Sequence, residues 1–111
     1  MQTIINIIIN FSVINNKYFS VKLLPPRADF AQTMIEDERS IMQQHAGYWQ
    51  EYIQKGIVHV FRPVLDPKGV FGLGIVSVEN EEQLKEFIDG DPSLQINKVE
   101  YYPMMATLAN K

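Results

Sequence analysis

No cysteine occurs among the 111 residues, which excludes disulfides, thiolate metal sites and a cysteine nucleophile. That absence also suits a reducing cytoplasm, the compartment expected here. There is no excess of basic charge: a formal net charge of −3 leaves no electrostatic footprint for nucleic acid or an anionic membrane. No apolar run reaches the ~20 residues that a membrane helix needs. No basic n-region precedes a small-residue cleavage site, so a secretory signal is not indicated. G-x-G-x-x-G, Walker-type and G-x-S-x-G motifs are all missing, so nucleotide chemistry and serine hydrolysis have no support. The two histidines, His45 and His59, lie on different expected elements and do not form a metal site by spacing. Neither a metal nor a cofactor is expected.

What remains is an ordinary globular composition, 46% apolar and 21% charged, at a single-domain length. A chain of this size buries roughly 60–70% of the surface its unfolded form exposes, enough for a core without staples. The first sixteen residues, MQTIINIIINFSVINN, carry no side-chain charge and set isoleucines between asparagines. Three readings are open for them: an extra edge strand, a disordered leader, or a start codon placed too far upstream. The expectation is a leader or appended strand over 1–16 and a functional domain over 17–111. Uncharged, β-prone and free of proline, the leader would aggregate if left exposed.

From Tyr18 the pattern becomes regular. YFSVKLL alternates as a half-buried strand, and Pro25-Pro26 stops it. RADFAQTM suggests a short turn of helix. The acidic run Glu36, Asp37, Glu38 then favours a helix N-terminus through the macrodipole. An amphipathic helix follows to about Lys55, with Gly56 as a natural C′ residue. Two β-rich runs, IVHVFRPVL and VFGLGIVSV, flank DPKG, whose Asp-first, Pro-second and Gly-fourth order matches a type I turn. Gly72 and Gly74 lie two apart and so face one side of the second run, where missing side chains permit close approach. NEEQLKEFIDG reads as a second long helix, with Asn80 as N-cap, Gln83 at N3, a buried stripe of Leu84, Phe87 and Ile88, and Gly90 at its end. INKVEYYPMMATL supplies the last strand.

The order is βαββαβ, an α+β ferredoxin-like arrangement of one antiparallel sheet with two helices on one face. Two helices leave the other face open. The final strand carries Val99, Tyr101, Tyr102, Met104 and Met105, more apolar than a solvated face requires. A homodimer joined sheet to sheet is therefore expected.

His45 raises the chemical question. It lies four residues after Ile41 and four before Trp49, inside the apolar face that Ile41, Met42, Tyr48, Trp49, Tyr52 and Ile53 would form. A titratable ring against a core needs a partner. Asp91, just before Pro92, has two readings: an N-cap for a short turn, or a carboxylate that orients His45. His59 alternates with Ile57 and Phe61 and reads as a satisfied sheet histidine. Asp89 reads as a surface residue at a helix end. Trp49 and its tyrosines read first as core, although Trp49 can also wall a pocket beside His45.

Taken in order, MQQHAGYWQEYIQKGIV, RPVLDPKG, GLGIV and GDPSL resemble the YciI-like (YCII-related) family over about Lys17 to Met105. The resemblance implies a small ferredoxin-like domain of the dimeric α/β-barrel type, with a His and an Asp facing one another at an active site. The matching positions are His45 and Asp91. It further implies general acid–base chemistry, hydrolysis or elimination, on a small molecule, since relatives are connected with the breakdown of chlorinated aromatics. A non-catalytic dimeric module that binds a small molecule or a partner in the same cleft is the alternative. Trp49, Arg62, Gly72, Gly74 and Ser93 are the candidate binding positions. Arg62 departs from the family, which usually has Gly there. Lining the pocket, it would narrow it and favour an anion; pointing outward, it is a surface arginine.

Overall fold

Alternation along the first strand places Phe19, Val21 and Leu23 on one side of a sheet, and all three are buried. A computed structural model of the chain describes residues 17–109, so the expected leader over 1–16 lies outside the described residues. The elements are β1 (Lys17–Leu24), a one-turn α1 (Phe30–Thr33), α2 (Glu36–Gln54), β2 (Val58–Val64), β3 (Phe71–Val78), α3 (Glu81–Asp89), a 3₁₀ turn (Pro92–Gln95) and β4 (Lys98–Met104). The strands form one four-stranded sheet in the order β2-β3-β1-β4. Every pairing is antiparallel. This is an α+β architecture compatible with the ferredoxin-like βαββαβ order.

Local signals account for the ends of the elements. Glu36, Asp37 and Glu38 occupy the first turn of α2, and the Glu38 carboxylate accepts the Ile35 N–H at 3.0 Å. At the far end Gly56 takes φ +81°, its N–H donates to the Ile53 carbonyl and the Ile57 N–H donates to Tyr52, both at 3.0 Å. Those two bonds are a Schellman motif, and the left-handed conformation is why glycine stands there. The β2–β3 connection closes with the Gly69 N–H on the Asp66 carbonyl at 2.9 Å, and the Asp66 side chain takes the Lys68 N–H at 2.9 Å. In α3, Asn80 accepts the Gln83 N–H at 2.9 Å, while the Gln83 side chain reaches the N–H of Glu79 rather than that of the cap residue. Gly90 ends α3 in the right-handed region, φ −81°. Its lack of a side chain is explained by crowding, because a Cβ would collide with the Tyr48 hydroxyl, which donates to the Phe87 carbonyl at 2.7 Å.

The core lies between the sheet and the helices: Phe19, Val21 and Leu23 of β1, Val76 and Val78 of β3, Trp49 of α2, and Leu84, Phe87 and Ile88 of α3. Within the final strand the alternation divides the apolar residues. Val99 and Tyr101 pack against this core, whereas Tyr102 and Met104 are exposed, as is Val60 of β2. His59 hydrogen-bonds Ser77 Oγ through Nε2 at 2.6 Å and leans on the Tyr18 ring, so it is the satisfied sheet histidine expected. Asp89 is exposed at the end of α3. Among the described residues no helix is long and apolar enough to cross a membrane.

Candidate active site

His45 and Trp49 are four apart on α2, on the face turned to the sheet, and are the two residues of that helix that are fully buried. The flanking Ile41, Met42, Tyr48, Tyr52 and Ile53 are only half-buried. Asp91, buried at the start of the 3₁₀ turn, faces both. His45 Nδ1 lies 2.9 and 2.8 Å from the two Asp91 oxygens. Trp49 Nε1 donates to Oδ2 at 2.7 Å, and the Ser93 N–H donates to Oδ1 at 2.8 Å. Asp91 is therefore the cap of its turn and the partner of the histidine at once; the two readings of the sequence are one arrangement.

Burial by itself pushes the Asp91 carboxyl up, but the bonds from His45, the Ser93 amide and Trp49 outweigh it and hold it below its ordinary value of 3.8. It is thus ionised at neutral pH and can only accept. With every partner of this carboxylate a donor, the His45 Nδ1 must carry a proton. Nε2 is left as the free ring nitrogen, an acceptor when the ring is neutral and a donor when it is protonated.

His45 forms part of the wall of a cavity of about 340 Å³. The rest of the wall is mostly apolar: Leu23, Phe30, Met34, Met42, Phe61, Val70 and Phe71, with Pro25 and Pro63. Gly72 also lines it, next to Leu23 and Phe61. Of the candidate binding positions, Gly72 and Arg62 border the cavity, while Trp49 and Ser93 serve Asp91 directly. Gly74 serves Trp49: a Cβ there would stand 2.5 Å from Cζ3 of the indole. The Arg62 side chain is exposed and its Nη1 donates to the Phe61 carbonyl at 3.1 Å. Since Phe61 pairs with Gly74 on the helix side, alternation roots Arg62 on the open face of the sheet.

Two contributions escape the sequence. Asn97 borders the cavity and is buried, with Nδ2 3.6 Å from Met42 Sδ and no partner for Oδ1 among the described residues. A lone Asn after a turn carries no signal of that role. The second is the strap from Pro25 to Ile35, which contributes Pro25, Phe30, Ala31 and Met34 to the wall. Arg27 holds it in place, donating through Nη1 and Nη2 to both Glu38 oxygens at 3.0 and 2.8 Å, and through Nε and Nη2 to Thr33 at 2.8 Å. The Arg27 bond and the Ile35 amide draw the Glu38 carboxyl down to about 2. An arginine eleven residues before its glutamate has no helical period by which to be found.

Among the described residues, no group of three His, Asp or Glu side chains is placed to hold a metal ion. The fold and the site together define a small α+β domain with a buried, carboxylate-oriented histidine opening on an apolar cavity. The family model of the YCII-related domain matches residues 22–107. The chain therefore belongs to the YCII-related family, as its motifs suggested. A comparison with curated proteins found no match.

Proposed function

We propose that the cavity is an active site in which His45, oriented by Asp91, serves as general base or acid on a small molecule. One observation carries this reading: Asp91 holds Nδ1 of a histidine that borders the cavity, and Nε2 has no hydrogen-bond partner among the described residues, the division of labour that a histidine base requires. Of hydrolysis and elimination, elimination asks for fewer groups. Nε2 takes a proton from carbon, the C–H electron pair becomes a double bond, and a leaving group departs with its own pair. Among the described residues the cavity wall offers no hydroxyl or amine nucleophile, which suits that simpler sequence.

The test is a panel of small acids and halogenated phenols incubated with the protein and followed by NMR for loss of starting compound. For any compound turned over, His45→Ala should lower kcat/KM by about 10²–10⁴-fold, the usual contribution of a positioned acid or base. Added imidazole should restore part of the rate. Binding by the wild type without turnover of any compound would instead support the non-catalytic module.

The exposed Val60, Tyr102 and Met104 on the open side of the sheet support assembly as a sheet-to-sheet homodimer of the dimeric α/β-barrel type. Sedimentation at micromolar concentration should give twice the 12.8 kDa chain mass; a monomer mass would refute it. A dimer that persists after removal of residues 1–16 would place assembly in the 17–111 domain, with the leader dispensable.

A further inference from the structure

Given that His45 acts as acid or base in the cavity, its ring must be held still while Nε2 works. We propose that Phe61 is a positioning residue for His45: its ring, seated on the bare backbone of β3, pins the imidazole against Asp91 and keeps water from the bond between them. Hydrogen bonds hold only one edge of the imidazole, through Nδ1 and the two Asp91 oxygens. The bond that carries a histidine ring has a broad torsional preference, so neighbours must bar its swing.

Phe61 and Trp49 are those neighbours. The Phe61 ring stands edge-to-face with His45, with centroids 5.1 Å apart and planes at 77°. Trp49 meets the imidazole at 5.8 Å, tilted by 55°. Phe61 and Trp49 stack on each other at 4.3 Å, so the three rings brace one another. Such ring contacts are worth more than the area they bury. Trp49 is tied down separately, through its Nε1 bond to Asp91. Phe61 has no polar handle and is held by packing alone. It borders the cavity beside His45, and its ring withholds part of the imidazole from water that enters there.

Strand pairing explains how a ring from β2 comes to lie against a helix residue. Phe61 pairs with Gly74, and Pro63 with Gly72. A Cβ on Gly74 would stand 3.4 Å from Phe61 Cδ1, and one on Gly72 would stand 3.6 Å from Cε1. The ring therefore lies along both glycines, an aromatic side chain covering bare strand backbone. Branched side chains at either position would take its seat. The two glycines thus serve two rings at once: Gly74 makes room for Trp49, and the pair makes room for Phe61.

The proton on His45 Nδ1 reports the brace directly. The experiment follows its exchange with solvent by NMR of the ¹⁵N-labelled full chain at pH 7, in wild type, Phe61→Leu and Phe61→Tyr. His59→Gln, which removes the other imidazole of the chain, assigns the signal. Leucine keeps apolar bulk and removes the ring. The reference is the amide of buried Val21 in the interior strand β1, whose exchange reports opening of the whole fold. Relative to that amide, the His45 proton should exchange about 3- to 10-fold faster in Phe61→Leu, the size of one edge-to-face contact. Phe61→Tyr retains the ring and should keep the wild-type ratio. A merely structural ring would speed both protons by the same factor, and that result would overturn the proposal. So would an unchanged His45 rate in Phe61→Leu, a Phe61→Tyr rate as fast as that of Phe61→Leu, or a wild-type proton that exchanges too fast to observe. The rates are read without turnover. Faster exchange in Phe61→Leu with no compound turned over keeps the brace and loses the acid–base reading. Turnover that depends on His45, with exchange unchanged in Phe61→Leu, does the opposite.

Discussion

Asp91→Ala is expected to destabilise the protein by about 3–5 kcal/mol, the lower part of what leaving three buried donors unpaired costs. The side chain accepts from three groups of three different kinds: the imidazole of His45, the indole of Trp49 and the amide of Ser93. Removing it leaves three buried donors unpaired, each worth ~1–3 kcal/mol, with relief only where the cavity admits water. That is a large share of the roughly 5–15 kcal/mol that holds a domain together. Asp91→Asn keeps one acceptor oxygen and should recover only part of the loss. Urea midpoints of the three proteins at pH 7 measure the effect; a midpoint for Asp91→Ala equal to wild type would mean that the pair carries no stability. The pH dependence follows with a definite sign. Because the folded carboxyl titrates below its ordinary value of 3.8, its contribution is fully present above that pH and is lost as the pH falls through the folded value. Wild type should therefore lose stability below about pH 4, and Asp91→Asn should lack that component.

Gly74→Val should be nearly as damaging, by about 3 kcal/mol, the upper part of the range for overpacking a core. The first added atom would meet Trp49 Cζ3 at 2.5 Å and Cη2 at 3.0 Å. The indole has nowhere to retreat: it stacks on Phe61 with centroids 4.3 Å apart, meets the Phe87 ring at 4.8 Å, and is tied through Nε1 to Asp91. For a domain of this size the loss corresponds to a fall of roughly 10–20 °C in melting temperature. Displacing the indole would also disturb Asp91 and hence His45, so the proton on His45 Nδ1 should exchange faster in the same variant. Gly47→Ala is the control. A Cβ at Gly47 meets nothing within 4 Å, and alanine is the better helix former by about 1 kcal/mol. That variant should melt at or above wild type. An unchanged melting temperature for Gly74→Val would mean that the glycine is incidental.

Much of the architecture was legible along the chain because its signals are local. The period of two in YFSVKLL, the 3.6 period that buries Leu84, Phe87 and Ile88, the turn chemistry of DPKG and the glycine after Lys55 each act within a few residues. Asp91 before Pro92 was likewise readable as a cap, and the order of short motifs carried the family. What local signals cannot hold is distance across the fold. The pairing of His45 with Asp91 spans 46 positions; motif order suggested it, but only the packing of α2 against the 3₁₀ turn makes it a contact. Trp49 Nε1 and the Ser93 amide join that carboxylate for the same reason. The role of Gly74 depended on knowing which ring crosses β3, and that of Gly90 on the Tyr48 hydroxyl rather than on backbone conformation. The face to which Arg62 belongs was settled by the register of β2 against β3. Asn97 and the strap held by Arg27 and Glu38 reach the cavity through contacts between separate segments, which no periodicity of either segment encodes. Local chemistry thus determined the elements and the candidate pair, whereas the contents of the cavity wall were decided by the long-range packing that closes it.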